Sequence, residues 1–325
     1  MEVLAKNSSG KQLLMQDRTA AAPAPVLPFI TLVDVLGLLK AYPLYGLMRL
    51  CPDFSVWVAK AALGPAYQLI HRGKRRLLAK TIIQSLDVPV SEGRALARLW
   101  IRHYARHRWE SLSTLLSGPP SIGDQRSVLG LQHLDRALEE NGGVLLVSVH
   151  WFASMPAKRL LRRMNYPILT VRAWRRKGLG RVGNRWLLPR LLQLRARIRT
   201  GSESVDLDDP GCALALARRL REGGIVHLAS DARESNTAVT VRFLNGRVPL
   251  SSGVLELARL CHCPVLPLVA VYAGNGIRIE LGAPLGFRYE GTAEECARTN
   301  FPILIAELER QVRSAPDQWA FWVEG

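Results

Sequence analysis

The chain has 325 residues, of which 48% are hydrophobic and 22% charged. That length allows one large domain or two modest ones, and that apolar content excludes global disorder. Forty-four Lys and Arg against 27 Asp and Glu leave a net charge of +17, a surface that attracts polyanions. Nucleic acid, an anionic bilayer and a strongly acidic protein all satisfy that charge, which does not choose among them. The five cysteines, Cys51, Cys212, Cys261, Cys263 and Cys296, are odd in number and scattered. Cys261-His262-Cys263 is too tight for a zinc ligand pair and has no second pair nearby, so no metal site is expected. The thiols read as reduced, mostly small core residues.

In chain order, residues 1–25 mix charges with Ser, Ala and Pro. They have no small-residue cleavage site after a short apolar run, so they read as a mobile tail rather than a secretory signal. Residues 26–50, VLPFITLVDVLGLLKAYPLYGLMRL, are apolar but interrupted by Asp34, Lys40 and Pro43. A spanning helix needs about 20 mostly apolar residues, and a charge in mid-span is costly. An interfacial or re-entrant helix in the headgroup layer fits better, with a buried core helix as the alternative. Residues 28–117 read as successive helices carrying two basic clusters, HRGKRR at 71–76 and a second within IRHYARHR. The expected organisation is a tail (1–25), a helical, membrane-associated part (26–120) and an α/β domain (121–325).

That last region alternates strand and helix signals, the mark of an α/β fold with a central mixed sheet flanked by helices. GGVLLVSV (142–149) is an apolar run after a Gly-Gly turn, hence a buried strand. A helix is expected near Pro156, a residue suited to a first helical turn. Residues 167–172 form the next strand, 210–221 a helix ended by Gly223-Gly224, and 225–230 a strand. Residues 239–244 make another strand before a turn at Asn245-Gly246. Ser251 or Ser252 caps a helix reaching about His262. Strands at 265–271 and 277–281 join through Asn275-Gly276, a hairpin-type turn. Thr292 and Glu295 make a capping box for a last helix, expected to bend at Pro302.

His150 directly follows the buried strand, and strand ends in α/β sheets are where reacting side chains collect. A histidine there can serve as a general base near neutral pH; a structural histidine is the alternative.

GGVLLVSVHWFASM resembles the first signature of the late acyltransferases of lipid A biosynthesis, the lauroyl and myristoyl transferases. In that family a Gly-rich turn and an apolar strand lead to His-x4-Asp/Glu. Four further blocks follow in the family's order: VRAWRRKGLGRVGNRW, GGIVHLASDARES, VRFLNGRVPLSSGVLELARLCHCPVLPLVAVY and SAPDQWAFWVEG. Upstream, RRLLAK and WIRHYARHRWE are similar to its N-terminal helical part, so the likeness spans about residues 70–325. It implies transfer of an acyl group from a thioester on acyl carrier protein or CoA to a lipid-like acceptor, with no cofactor beyond that donor. It also implies a peripheral or monotopic protein at the cytoplasmic face of a bacterial inner membrane.

By the same resemblance His150 is the base that takes the acceptor's proton, and an acid orients its imidazole. The sequence departs at the second signature position, where Met155 stands. A thioether cannot offset an imidazolium charge. Another carboxylate can supply that role in space, with Asp231 and Glu234 best placed. Alternatively the acceptor is a stronger nucleophile such as an amine, or transfer has been lost and acyl binding kept. Arg172, just after a strand, is expected to bind anionic groups of donor or acceptor. Asn184 and Arg247 are further candidates for substrate contact, and Met155 with Phe152 can line an acyl slot.

Residues 158–199 hold 14 Lys and Arg and no Asp or Glu, with Trp174 and Trp186 interleaved. A single-strand nucleic-acid surface could have that composition. No zinc pattern, RRM-type aromatic motif or KH loop accompanies it, so nucleic acid is the weaker reading. Anionic headgroups, an acidic carrier or an acceptor phosphate fit better.

Overall fold

A computed structural model describes Ile30, Gln68 and residues 71–117, 126–172, 203–207, 209–231, 238–274 and 276–322. All of these except Ile30 belong to one compact unit. Two helices come first, α1 (Arg72–Leu86) and α2 (Val90–Ser117). Strand β1 (Arg126–Leu129), helix α3 (Leu131–Asn141), strand β2 (Val144–Ser148), helix α4 (Ser154–Arg163) and strand β3 (Ile168–Arg172) follow. Next are β4 (Ser204–Asp206), α5 (Cys212–Arg221), β5 (Ile225–Ala229) and a hairpin of β6 (Ala238–Phe243) and β7 (Gly246–Ser251). Helix α6 (Gly253–Cys261), strands β8 (Val265–Ala273) and β9 (Gly276–Leu281) and helix α7 (Ala293–Ser314) complete the order.

Seven strands make one mixed sheet in the order β1-β9-β8-β2-β5-β3-β4, and β6 with β7 form a separate antiparallel pair. All neighbours in the large sheet run parallel except β8 and β9, which form the hairpin expected from the sequence. The expected α/β class therefore holds. Strand β2 lies between β8 and β5, and all five of its residues are buried. Coverage on both faces explains why it reads as a continuous apolar run rather than an alternating one.

The helices supply that cover through single buried stripes. In α5, Cys212, Leu216, Ala217 and Leu220 are buried, and in α7 the stripe is Cys296, Asn300, Leu304, Glu307, Leu308, Gln311 and Val312. Both follow the 3.6-residue period of a one-faced helix. Each fully buried Leu contributes roughly 1.5–3 kcal/mol of transfer free energy. Leu78, Ile82 and Trp100 of α1 and α2 join the same core as the sheet residues.

Two glycine pairs set the register that later matters at the site. Gly142 and Gly223 have φ of +77° and +79°, and the two lie back to back at the N-terminal ends of β2 and β5. The Val144 amide donates to the Gly224 carbonyl at 3.1 Å. A Cβ on Gly143 would collide with the Leu220 carbonyl, so the end of α5 can approach only a glycine.

Several sequence expectations shift in detail. Helix α4 begins at Ser154, two residues before Pro156, and α7 continues through Pro302 as one helix. The Thr292–Glu295 capping box is present. Ser252 occupies the N-cap of α6 without a side-chain capping bond, while the Ser251 hydroxyl accepts from the Gly253 amide at 3.2 Å. Strands β1, β4 and β7 and helix α3 are additions to the expected elements; β1 and β4 are short edge strands with too few residues for a periodic signal. No helix among the described residues is long and apolar enough to cross a membrane, and residues 26–50 lie outside that description apart from Ile30.

The glycine geometry predicts opposite effects at two sites. Gly143→Ala should lower stability by about 1–3 kcal/mol, because backbone must move. Gly73→Ala, inside α1 with open space where the methyl would go, should raise it by about 0.5–1 kcal/mol. Denaturant melts of the two variants check this, and shifts of the same sign would contradict it.

Candidate active site

Strands β2 and β5 pair in parallel with Ser148 opposite Ala229. Two residues beyond each lie His150 and Asp231, so the sheet register alone places the two side chains next to one another at the C-terminal ends of neighbouring strands. The imidazole Nδ1 of His150 is 2.5 Å from Asp231 Oδ1, and the His150 backbone amide donates to Asp231 Oδ2 at 2.9 Å. One carboxylate thus holds both the ring and the main chain of the histidine. The carboxylate side chain is 2% exposed, whereas that of His150 is 40% exposed.

A third donor completes the cradle. Trp319 Nε1 donates to Asp231 Oδ2 at 2.7 Å. Burial alone would push the Asp231 carboxyl up; the adjoining His150, its ring and backbone hydrogen bonds and the Trp319 indole outweigh that and hold it below the ordinary aspartate value. With Asp231 ionised, Nδ1 is the protonated ring nitrogen. The Nε2 lone pair then faces outward, with no hydrogen-bond partner among the described residues. That is the tautomer a general base requires.

The C-terminal segment builds the walls around this pair. Residues 150–152 bridge to 318–320: Ala320 donates its amide to the His150 carbonyl at 2.9 Å, and Phe152 donates to the Gln318 carbonyl at 3.3 Å. Gln318 clamps the end of β8, accepting from the Tyr272 amide at 2.6 Å and donating to the Tyr272 carbonyl at 3.0 Å. Phe321 lies against the His150 ring at a centroid distance of 4.3 Å. The Val149 amide donates to Gln311 of α7 at 3.2 Å. From α2, Trp100 donates its indole N–H to the Trp319 carbonyl at 2.6 Å, and His107 Nδ1 donates to the Phe152 carbonyl at 2.8 Å.

A second histidine lies in the sheet below. His227 of β5 is within 2.8 Å of the Ser148 hydroxyl through Nε2. That hydroxyl gives its own proton to the Val149 carbonyl at 2.8 Å, so His227 Nε2 is the donor. Burial, the Lys158 ammonium and the nearby His150 push His227 well below the usual histidine range. It stays neutral and adds no second positive charge beneath the site.

The structure distributes the sequence candidates unevenly. It brings His150 and Asp231 together. Met155 is half-buried in the first turn of α4, and the carboxylate against the His150 ring belongs to Asp231. Phe152 is buried and packs on Trp100 and His107. Arg172 ends β3, its backbone opposite Asp206 of β4. Arg247 is exposed near the tip of the β6–β7 hairpin, where Asn245 bonds Ser85 and Leu244 bonds Glu309. No described contact ties Arg247 to His150. Asn184 and Glu234 lie outside the described residues, as do residues 173–199 of the basic stretch. Among the described residues no cluster of three metal-ligating side chains forms.

Trp319, Gln318, Gln311 and Phe321 are site residues that sequence reasoning misses. The C-terminal block SAPDQWAFWVEG is visible in the sequence, but which strand end it folds against is not.

Because Asp231 ionises more readily folded than unfolded, the stability it contributes is complete above the ordinary aspartate range. It is lost as pH falls through the lowered folded value. The wild type should therefore lose thermal stability on acidification more steeply than Asp231→Asn; equal acid limbs would contradict this. Trp319→Phe, which removes one hydrogen bond to a charged group, should cost about 2 kcal/mol at neutral pH in the same melts.

The chain matches the family model for bacterial lipid A biosynthesis acyltransferases over residues 91–324. A search of curated proteins found no match. The matched span holds the sheet, His150, Asp231 and the C-terminal segment. The chain belongs to the bacterial lipid A biosynthesis acyltransferase family, whose members transfer acyl groups in lipid biosynthesis.

Proposed function

We propose that the protein moves a fatty acyl group from a thioester donor, on acyl carrier protein or CoA, to a hydroxyl or amine of a lipid or amphipathic acceptor at the membrane surface. The observation that carries this reading is the outward Nε2 of His150, fixed from behind by the buried Asp231 carboxylate. Nε2 takes the proton from the acceptor O–H or N–H as that atom attacks the thioester carbonyl. The tetrahedral intermediate collapses with cleavage of the C–S bond. The proton held on Nε2 passes to the departing sulfur, which restores the neutral imidazole. Asp231 orients the ring throughout and stabilises its transient positive charge.

In this account Asp231 performs the role that the family signature gives to the residue at 155. Arg172, Asn184, Glu234 and Arg247 remain candidates for binding the anionic parts of donor and acceptor. An acyl-binding homologue without turnover is the rival reading, and the loss of a carboxylate at Met155 is what favours it.

Purified protein, an acyl carrier thioester and a panel of hydroxyl and amine acceptors separate the two. Wild type should transfer the acyl group. His150→Ala should lose about 10²–10⁴-fold in rate, and Asp231→Asn about 10³–10⁴-fold with acceptor binding retained. Met155→Glu should gain little, less than about threefold, because the histidine already has its carboxylate. No wild-type turnover with intact acyl binding would establish the rival. A large gain in Met155→Glu would contradict the role given to Asp231.

A further inference from the structure

The basic cluster at residues 71–76 takes no part in the site described above. It opens α1, which has no acidic residue from Arg72 to Leu86 and no side-chain cap at its N-terminus. Cations crowded at the positive end of a helix dipole are unfavourable unless an anion compensates them. Lys74 turns inward over the rings of Trp100 and Tyr104, and Arg75 donates to Gln68. His71 meets the edge of the Tyr104 ring, and Arg72 and Arg76 are exposed.

Between α1 and α2 runs a groove of about 580 Å³ whose cations include Arg76, Lys80, Arg94 and Arg98, with Ile83 and Val90 among its apolar lining and no Asp or Glu. All four cations are exposed, and none is engaged by an ion pair among the described residues. Large apolar side chains stand exposed beside them: Leu77 at 57%, Val90 at 53% and Leu99 at 36%. The opposite faces of the two helices are committed to the core through Leu78, Ile82, Ala97, Trp100 and Ile101.

We infer that this α1–α2 face docks on an anionic phospholipid bilayer, with lipid phosphates seated between the arginines and Leu77, Val90 and Leu99 entering the boundary between headgroups and acyl chains. The inference rests on the membrane-surface part of the proposed function and is independent of the chemistry at His150. Guanidinium groups fork onto phosphate oxygens, and their aliphatic stems lie along the apolar boundary. Unpaired cations mixed with exposed aliphatic side chains on one helical face are the composition of an interfacial surface. An acidic protein would satisfy the charge but leaves the three aliphatic residues without a stated partner.

The test uses the full-length chain in co-sedimentation with vesicles of phosphatidylcholine alone or mixed with phosphatidylglycerol. Each basic residue held at an anionic surface is worth about fivefold in binding. The triple variant Arg76→Gln, Lys80→Gln, Arg94→Gln should therefore lose about 100-fold in affinity for the anionic vesicles. It should melt like the wild type, since the three side chains are exposed. A control that removes the same charge at the exposed Arg136, Arg218 and Arg298 should stay within about threefold of wild type. If the triple variant binds anionic vesicles as the wild type does, the docking face is wrong and the membrane-surface reading survives. If the wild type binds no vesicles, the membrane-surface reading fails with it. If the triple variant keeps vesicle binding but loses an acidic carrier protein, the groove takes that protein and the bilayer proposal is overturned.

Discussion

A carboxylate cut off from water must be held by donors or give up its charge, and Asp231 is held by three: the His150 ring, the His150 backbone and the Trp319 indole. Two of these come from the residue it orients and the third from the far end of the chain. The arrangement is therefore mutual. Asp231 fixes the histidine tautomer, and the histidine with its neighbours holds the Asp231 carboxyl below its ordinary value despite burial.

That contact depends on elements far from it in sequence. The register of β2 against β5 places the two residues side by side, and the glycine pairs at 142–143 and 223–224 set that register from the opposite end of the strands. Slipping either strand by one residue would turn one of the two side chains to the other face of the sheet. Helix α7 braces the same strand end through Gln311, while Gln318 ties the terminal segment to β8. Residues 318–321 thus line the site, and Phe321 lies directly against the imidazole.

The strands that stand out in the sequence are those whose burial leaves a strong trace. Residues 144–148, 225–229 and 265–273 are apolar enough to be read directly, and the turn at 275–276 announces its hairpin. His150 is legible from its place after such a strand. Asp231 is a candidate from the family likeness, but nothing local in the sequence says that it touches His150. The two are 81 residues apart, and their contact follows from a sheet order that sets β5 beside β2. Strand pairing over that distance is a property of the whole fold. Trp319 is hidden for the same reason, because its motif carries no sign of the strand end it meets.

If Asp231 supplies the carboxylate that position 155 lacks, the tautomer of His150 reports on it directly. Nitrogen-15 NMR of the histidine side chains at neutral pH should show His150 protonated at Nδ1, with that proton shifted far downfield by the short bond to Asp231. Asp231→Asn should abolish the downfield signal and Met155→Glu should leave it in place. A His150 ring protonated at Nε2, or a downfield proton that survives Asp231→Asn, would contradict the account.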